Sequence, residues 1–245
     1  MVNLLNNRIN LISKKILNYT PQLYYIEKSH SDKIPKPLGS SVLYASEKNY
    51  YLFTAKHVFN HENEWNIGIL VANIFYALEG VKYQTTDNNV DITVLNLTER
   101  LTKTLLENYT FLNLAQIDEK HYYTKSLSRY LEIGFPITKS KLKKNDKTIR
   151  VNPFILVSDI LNQSNEHVYV NIPKIRKSFN DNIPIRTLPT LTGLSGSGLW
   201  YISNFYNLKF KLVAIMIEWD DKNKKYTKGT KINLVISMIK EIEKD

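Results

Sequence analysis

A chain of 245 residues with 43% hydrophobic and 23% charged residues has enough apolar surface to close a sizeable core, and neither disorder nor low complexity describes it. It contains no cysteine, which excludes disulfides and thiolate metal sites and accords with a cytoplasmic location. The net charge of +10 comes from scattered basic residues. Their one cluster, Lys139, Lys141, Lys143, Lys144 and Lys147, reads as a solvated loop or turn with no recognition motif beside it, so nucleic acid is not an expected partner.

In chain order, MVNLLNNRINLISKKILNY has no long apolar core and no small-residue cleavage site, so it is not read as a signal peptide. No later stretch reaches the roughly 18–20 apolar residues that span a bilayer. Leu5, Ile9, Ile12 and Ile16 fall at helical spacing and predict an amphipathic helix over 3–17, packed on the body of the protein. From about residue 38 short β-rich runs follow, separated by turn residues: SSVLYAS, YYLFTA, IGILVANIFYAL, DITVLNL, YLEIGF, TIRVNPFILV, HVYVNI, LWYIS, FKLVAIMIEW and TKINLV. Many short strands predict an antiparallel barrel or sandwich, hence an all-β class. The best internal breaks lie near 113–126 and 139–147. Asn233 as N-cap, followed by Val235, Met238, Ile239 and Ile242, predicts a C-terminal helix.

Three segments carry chemistry. In Leu52-Phe53-Thr54-Ala55-Lys56-His57-Val58 a histidine ends a β-rich run, and imidazole can serve as a base near neutral pH. In Val90-Asp91-Ile92-Thr93-Val94-Leu95 an acid opens a β pattern; alone, such an acid more often caps a strand or turn. In Thr192-Gly193-Leu194-Ser195-Gly196-Ser197-Gly198 glycines alternate around Ser195, a backbone shaped to present a group rather than a merely flexible turn. A serine hydroxyl needs a base to take its proton, the base needs a carboxylate to fix its tautomer, and the developing oxyanion needs convergent backbone N–H groups. Each requirement has a candidate here. Asp87 is the alternative acid, but it sits in the polar TTDNN stretch, where a turn-forming role is expected. Ser197 is the nearest competitor to Ser195.

TAKHV, DITVLNL and GLSGSGL, in that order and separated by 34 and 104 residues from His57 to Asp91 to Ser195, resemble the segments of the trypsin-like (chymotrypsin-fold) serine peptidases, of the bacterial intracellular type. Gly39-Ser40-Ser41-Val42 resembles the opening motif of that family and Gly134-Phe135-Pro136 a later one, so the likeness runs over about 200 residues. The resemblance implies two packed antiparallel Greek-key β-barrels, with an N-terminal helical extension at 1–30, a first barrel at 31–120 and a second barrel with the C-terminal helix at 121–245. It implies a serine endopeptidase with His57 as base, Asp91 as orienting acid and Ser195 as nucleophile, and with Gly193 and Ser195 as oxyanion hole. A substrate pocket would be formed by Pro189, Thr190, Ile217, Glu218 and Trp219. Pro189 at its base argues against a trypsin-like carboxylate there, Trp219 would favour small residues, and Glu218 would favour basic ones. The implied partner is a protein or peptide substrate, with an activating or neighbour-encoded protein in the stress or antiviral roles of such peptidases; no cofactor is implied. Lys56, Thr93 and Ser197-Gly198 depart from the family pattern without removing a catalytic group. Leu194 stands where secreted trypsins carry an aspartate that pairs with a newly released α-ammonium group, so activity should not depend on trimming the amino terminus.

Three other readings compete, one of them a nucleic-acid-binding barrel motivated only by charge. A degenerate relative would bind peptides without cutting them. A metal site would use His57 and His61 at i, i+4 spacing with Glu62 and Glu64, but HExxH and a convincing third ligand are absent; His30, His121 and His167 have no motif around them.

Overall fold

In the computed structural model, which describes residues 2–29, 34–87, 89–124, 129–139, 141–143, 148–150, 152–172, 176–177, 184–185, 190–220, 223 and 225–244, the N-terminal helix spans Val2–Leu17. Ile12 and Ile16 are fully buried and Ser13 between them is buried too, while Leu5 stays exposed. The apolar stripe therefore works through its second half, which reaches the core shared with strand Tyr130–Gly134.

The first barrel is built from two four-stranded antiparallel sheets. One has the order Lys36–Ser40, Gln22–Glu27, Trp65–Val71, Ile74–Ala77; the other Val42–Ala45, Tyr50–Ala55, Ile92–Leu97, Gly80–Gln84. Strand Lys36–Ser40 passes into Val42–Ala45 through Ser41, and Ile74–Ala77 leads to Gly80–Gln84 through two residues, so the chain itself joins the edges of the two sheets. Phe53, Leu52, Ile69, Ile92 and Val94 fill the interior between the two sheets. The first strand, Gln22–Glu27, lies within the stretch expected to be helical extension.

The second barrel is one seven-stranded antiparallel sheet, ordered Phe154–Ser158, Tyr130–Gly134, Gly198–Asn204, Lys209–Trp219, Tyr226–Lys231, His167–Asn171, Ile160–Gln163. Its two edge strands are consecutive in the chain and separated by Asp159 alone, so the sheet curls until its edges meet. The expected all-β class with a helix at each end describes the fold.

Local details differ from expectation. IGILVANIFYAL is a hairpin, turning at Ala72 and Asn73 with φ of 49° and 67°. Two consecutive left-handed residues match the twist of paired strands, which explains a turn without glycine or proline. TIRVNPFILV is two strands, Thr148–Arg150 and Phe154–Ser158, interrupted before Pro153, which has no N–H for a ladder. TKINLV ends a strand at Lys231 and begins the C-terminal helix Ile232–Ile242, so Lys231, not Asn233, is the N-cap. Lys141–Lys143 forms a strand rather than a loop; Lys144 and Lys147 lie outside the described residues. Helix Glu99–Leu106, capped by Thr98, is an additional element.

Candidate active site

Strand Tyr50–Ala55 delivers the chain into a single 3₁₀ turn, Lys56–Phe59, anchored by buried Val58 and Phe59. That turn presents His57 with 43% of its side chain exposed. Asp91 precedes strand Ile92–Leu97 rather than lying in it, and its φ is +48°. Asp is among the few non-glycine residues that tolerate this region. The conformation lets one carboxylate meet residue 57 twice: Oδ1 accepts from the His57 backbone N–H at 3.1 Å, and Oδ2 lies 2.6 Å from Nδ1. The carboxylate can only accept, so Nδ1 carries the proton and Nε2 is left free to take one. Lys56 N–H donates to the Asp91 carbonyl at 2.9 Å. Asp87 serves its own turn, accepting from Asn89 N–H at 2.8 Å.

The Thr192–Gly198 segment is shaped by contacts with both barrels. Gly193 (φ +98°) and Gly196 (φ +87°) adopt backbone that side chains rarely enter. A Cβ on Gly193 would lie 2.7 Å from the Phe135 carbonyl, and one on Gly196 would strike the Ser40 carbonyl and the Thr54 hydroxyl. Thr192 carbonyl accepts from Ile137 N–H at 2.9 Å, and Gly193 carbonyl accepts from the Ser40 hydroxyl at 2.8 Å. Ser40 N–H donates to the Ser195 carbonyl at 2.9 Å, Phe135 N–H donates to the Ser40 hydroxyl at 3.0 Å, and Gly196 N–H donates to the Met216 carbonyl at 2.7 Å. With these carbonyls occupied, the N–H groups of Gly193 and Ser195 have no acceptor among the described residues. Leu194 is buried with Phe154, Leu156, Ile172 and Leu191, and Trp219 packs against that cluster.

His57, Asp91, Ser195, Ile217, Glu218 and Trp219 line one cleft of about 500 Å³. Asn89, Thr192 and Lys228 also line it and were not among the expected residues. Lys228 enters because its strand pairs Glu218 with it, leaving the ammonium 3.6 Å from the Glu218 carboxylate. Thr190 is exposed and does not line the cleft; Pro189 lies outside the described residues. Ser195 is partly exposed, whereas Ser197 is fully buried. Among the described residues the Ser195 hydroxyl makes no hydrogen bond to His57. His61 stacks on Trp65 with ring centres 4.4 Å apart, and no three His, Asp or Glu residues cluster as metal ligands among the described residues.

Beneath this segment, inside the second barrel, lies a carboxyl group that the sequence reading passed over. Glu132 faces the same side of its strand as Gly134, against which Ser197 and Leu194 pack. Thr227 hydroxyl donates to Glu132 Oε2 at 2.7 Å, while Oε1 has no partner among the described residues. Burial pushes its pKa up to about 7, partly offset by the Thr227 bond.

No protein-family model matches the chain, and no curated protein does. Solved structures do. The chain is similar to the serine endoprotease from Yersinia pestis, with TM-score 0.53 and 15% identity over 98% of this chain and 67% of that one. It is similar to the HtrA-type protease AlgW with tripeptide, at 0.54 and 13% over 96% and 63%, so it spans just under two thirds of that chain. A protease from M. tuberculosis in its active form aligns at 0.51 and 10% over 94% and 82%. At such identities the likeness is one of architecture: the chain has the two-barrel, chymotrypsin-like fold of HtrA-type and trypsin-like serine proteases.

Proposed function

We propose that the chain is a serine endopeptidase. The observation that carries this reading is the His57–Asp91 pair, hydrogen-bonded at 2.6 Å, in one cleft with Ser195, whose loop leaves two backbone N–H groups free. His57 Nε2 takes the Ser195 hydroxyl proton as Oγ attacks the scissile carbonyl, and Asp91 stabilises the imidazolium. Gly193 and Ser195 N–H groups receive the oxyanion, each contributing roughly 3–4 kcal/mol to the transition state. Collapse passes the proton to the leaving amine and leaves an acyl group on Ser195, which water then removes by the same route.

The missing bond between Ser195 and His57 favours a second reading, a protease-fold protein that binds peptides without cutting them. Catalytic hydrogen bonds are often long before substrate binds and tighten in the complex. One experiment separates the two. The folded full-length chain is incubated with a fluorophosphonate probe and with a peptide library, beside Ser195→Ala and Ser197→Ala. The peptidase labels and cleaves, Ser195→Ala does neither, and Ser197→Ala still labels. No labelling of the folded chain supports the silent binder; labelling that survives Ser195→Ala and disappears in Ser197→Ala moves the nucleophile.

A further inference from the structure

Asp91 is held in its left-handed conformation from both sides. Downstream, Ile92 N–H donates to the Thr85 hydroxyl at 3.1 Å, within the first barrel. Upstream, both supports come from the second barrel. Val90 carbonyl accepts from the Thr230 hydroxyl at 2.5 Å, and Asn89 carbonyl accepts from His167 Nε2 at 2.8 Å. Thr230 is fully buried and His167 is 5% exposed. They sit opposite each other on adjacent strands, paired in register. Two polar side chains buried at neighbouring positions, both aimed at consecutive carbonyls of another barrel, act as one clamp. A buried donor without such a partner would be costly, which favours the docked loop over alternatives.

We infer that Thr230 and His167 are positioning residues for Asp91. The peptide units before residue 91 can rotate only if these two donors release their carbonyls. Held in place, they keep φ at +48° and aim both carboxylate oxygens at residue 57. Released, the chain relaxes toward ordinary backbone and the carboxylate swings off the imidazole. A carbonyl accepts and never donates, so His167 must carry its proton on Nε2. The Nε2–H tautomer and the imidazolium both satisfy this. The Glu166 carboxylate, 3.9 Å from Nδ1, is the charged group at the ring's other nitrogen. The site is thus positioned by both barrels: the base and acid ride on the first, and the second sets the acid's angle.

The kinetic consequence rests on the peptidase reading, but the geometry does not. Thr230→Val, His167→Leu and their combination remove the donors; Thr230→Ser and His167→Gln keep one. Thr230→Ala removes the same hydroxyl and carries the test if the valine variant does not fold. Crystal structures of the full-length variants and kcat and KM on a cleaved peptide are measured together. The double variant is expected to lose the Asp91 Oδ2–His57 Nδ1 hydrogen bond and to lower kcat by about 10²-fold, with KM within about twofold. Serine and glutamine should restore most of both. An unchanged Asp91–His57 pair in the donor-free variants overturns the inference. A displaced Asp91 in a chain whose wild type cleaves nothing upholds it and overturns the peptidase reading instead.

Discussion

Replacing Glu132 by glutamine should make the protein more stable above neutral pH. The carboxyl is fully buried, with one hydrogen-bond donor and one unpartnered oxygen among the described residues. Burial raises its pKa from 4.5 to about 7, so the folded state holds a proton that the unfolded chain releases between those values. Stability therefore falls as pH rises through that window, and above it the folded state carries a constant penalty. A shift of about 2.5 units corresponds to at most roughly 3 kcal/mol. Glutamine keeps the shape and an acceptor for Thr227 but never ionises. The variant should equal wild type near pH 4.5 and gain up to roughly 3 kcal/mol at pH 8, or roughly 6–12 °C in Tm for a chain of this size. Urea unfolding followed by tryptophan fluorescence, at steps from pH 4.5 to 8, reads the difference directly. Subtracting wild type from variant cancels His121, which burial holds below its ordinary value. Curves that stay parallel across the whole range would refute the reasoning, because they would mean that Glu132 ionises as freely folded as unfolded.

Other expectations concern the nucleophile loop and the amino terminus. Leu194→Asp places a carboxylate among Phe154, Leu156, Ile172 and Leu191 and should cost several kcal/mol, with loss of fluorophosphonate labelling; Leu194→Met should keep labelling, and equal labelling of both would show that the loop does not depend on this side chain. Deleting residues 2–17 removes Ile12 and Ile16 from the core, a loss of roughly 3–6 kcal/mol, so trimming should inactivate the chain; a truncated protein that labels faster than the intact one would contradict this.

What could be read from the sequence follows the range of the interactions. The meeting of His57, Asp91 and Ser195 in one cleft was legible because reactive groups, β-rich runs and glycines occur within a few residues of one another. The terminal helices were legible because apolar spacing is local. The Ala72–Asn73 turn was hidden, since neither residue advertises positive φ as glycine does. Glu132 was hidden too: an acid in an apolar strand looks like an outward-facing residue until the barrel closes around it. Lys228 and Asn89 reach the cleft only through pairing and docking with residues far away in sequence. The Ser40–Gly193 bond joins residues 153 positions apart, and no local pattern announces it.

Ser40 gives the molecule a property that neither barrel has alone. One residue of the first barrel donates to the Gly193 and Ser195 carbonyls while accepting from Phe135 of the second, and its own carbonyl accepts from Thr54. The nucleophile loop is thus moulded against a surface supplied by the other half of the chain. A polypeptide severed between the barrels would yield two fragments, each lacking part of the mould. Their reassociation would rebuild it at a stroke, so a split version would report proximity, silent while the halves are apart and competent when fused partners bring them together.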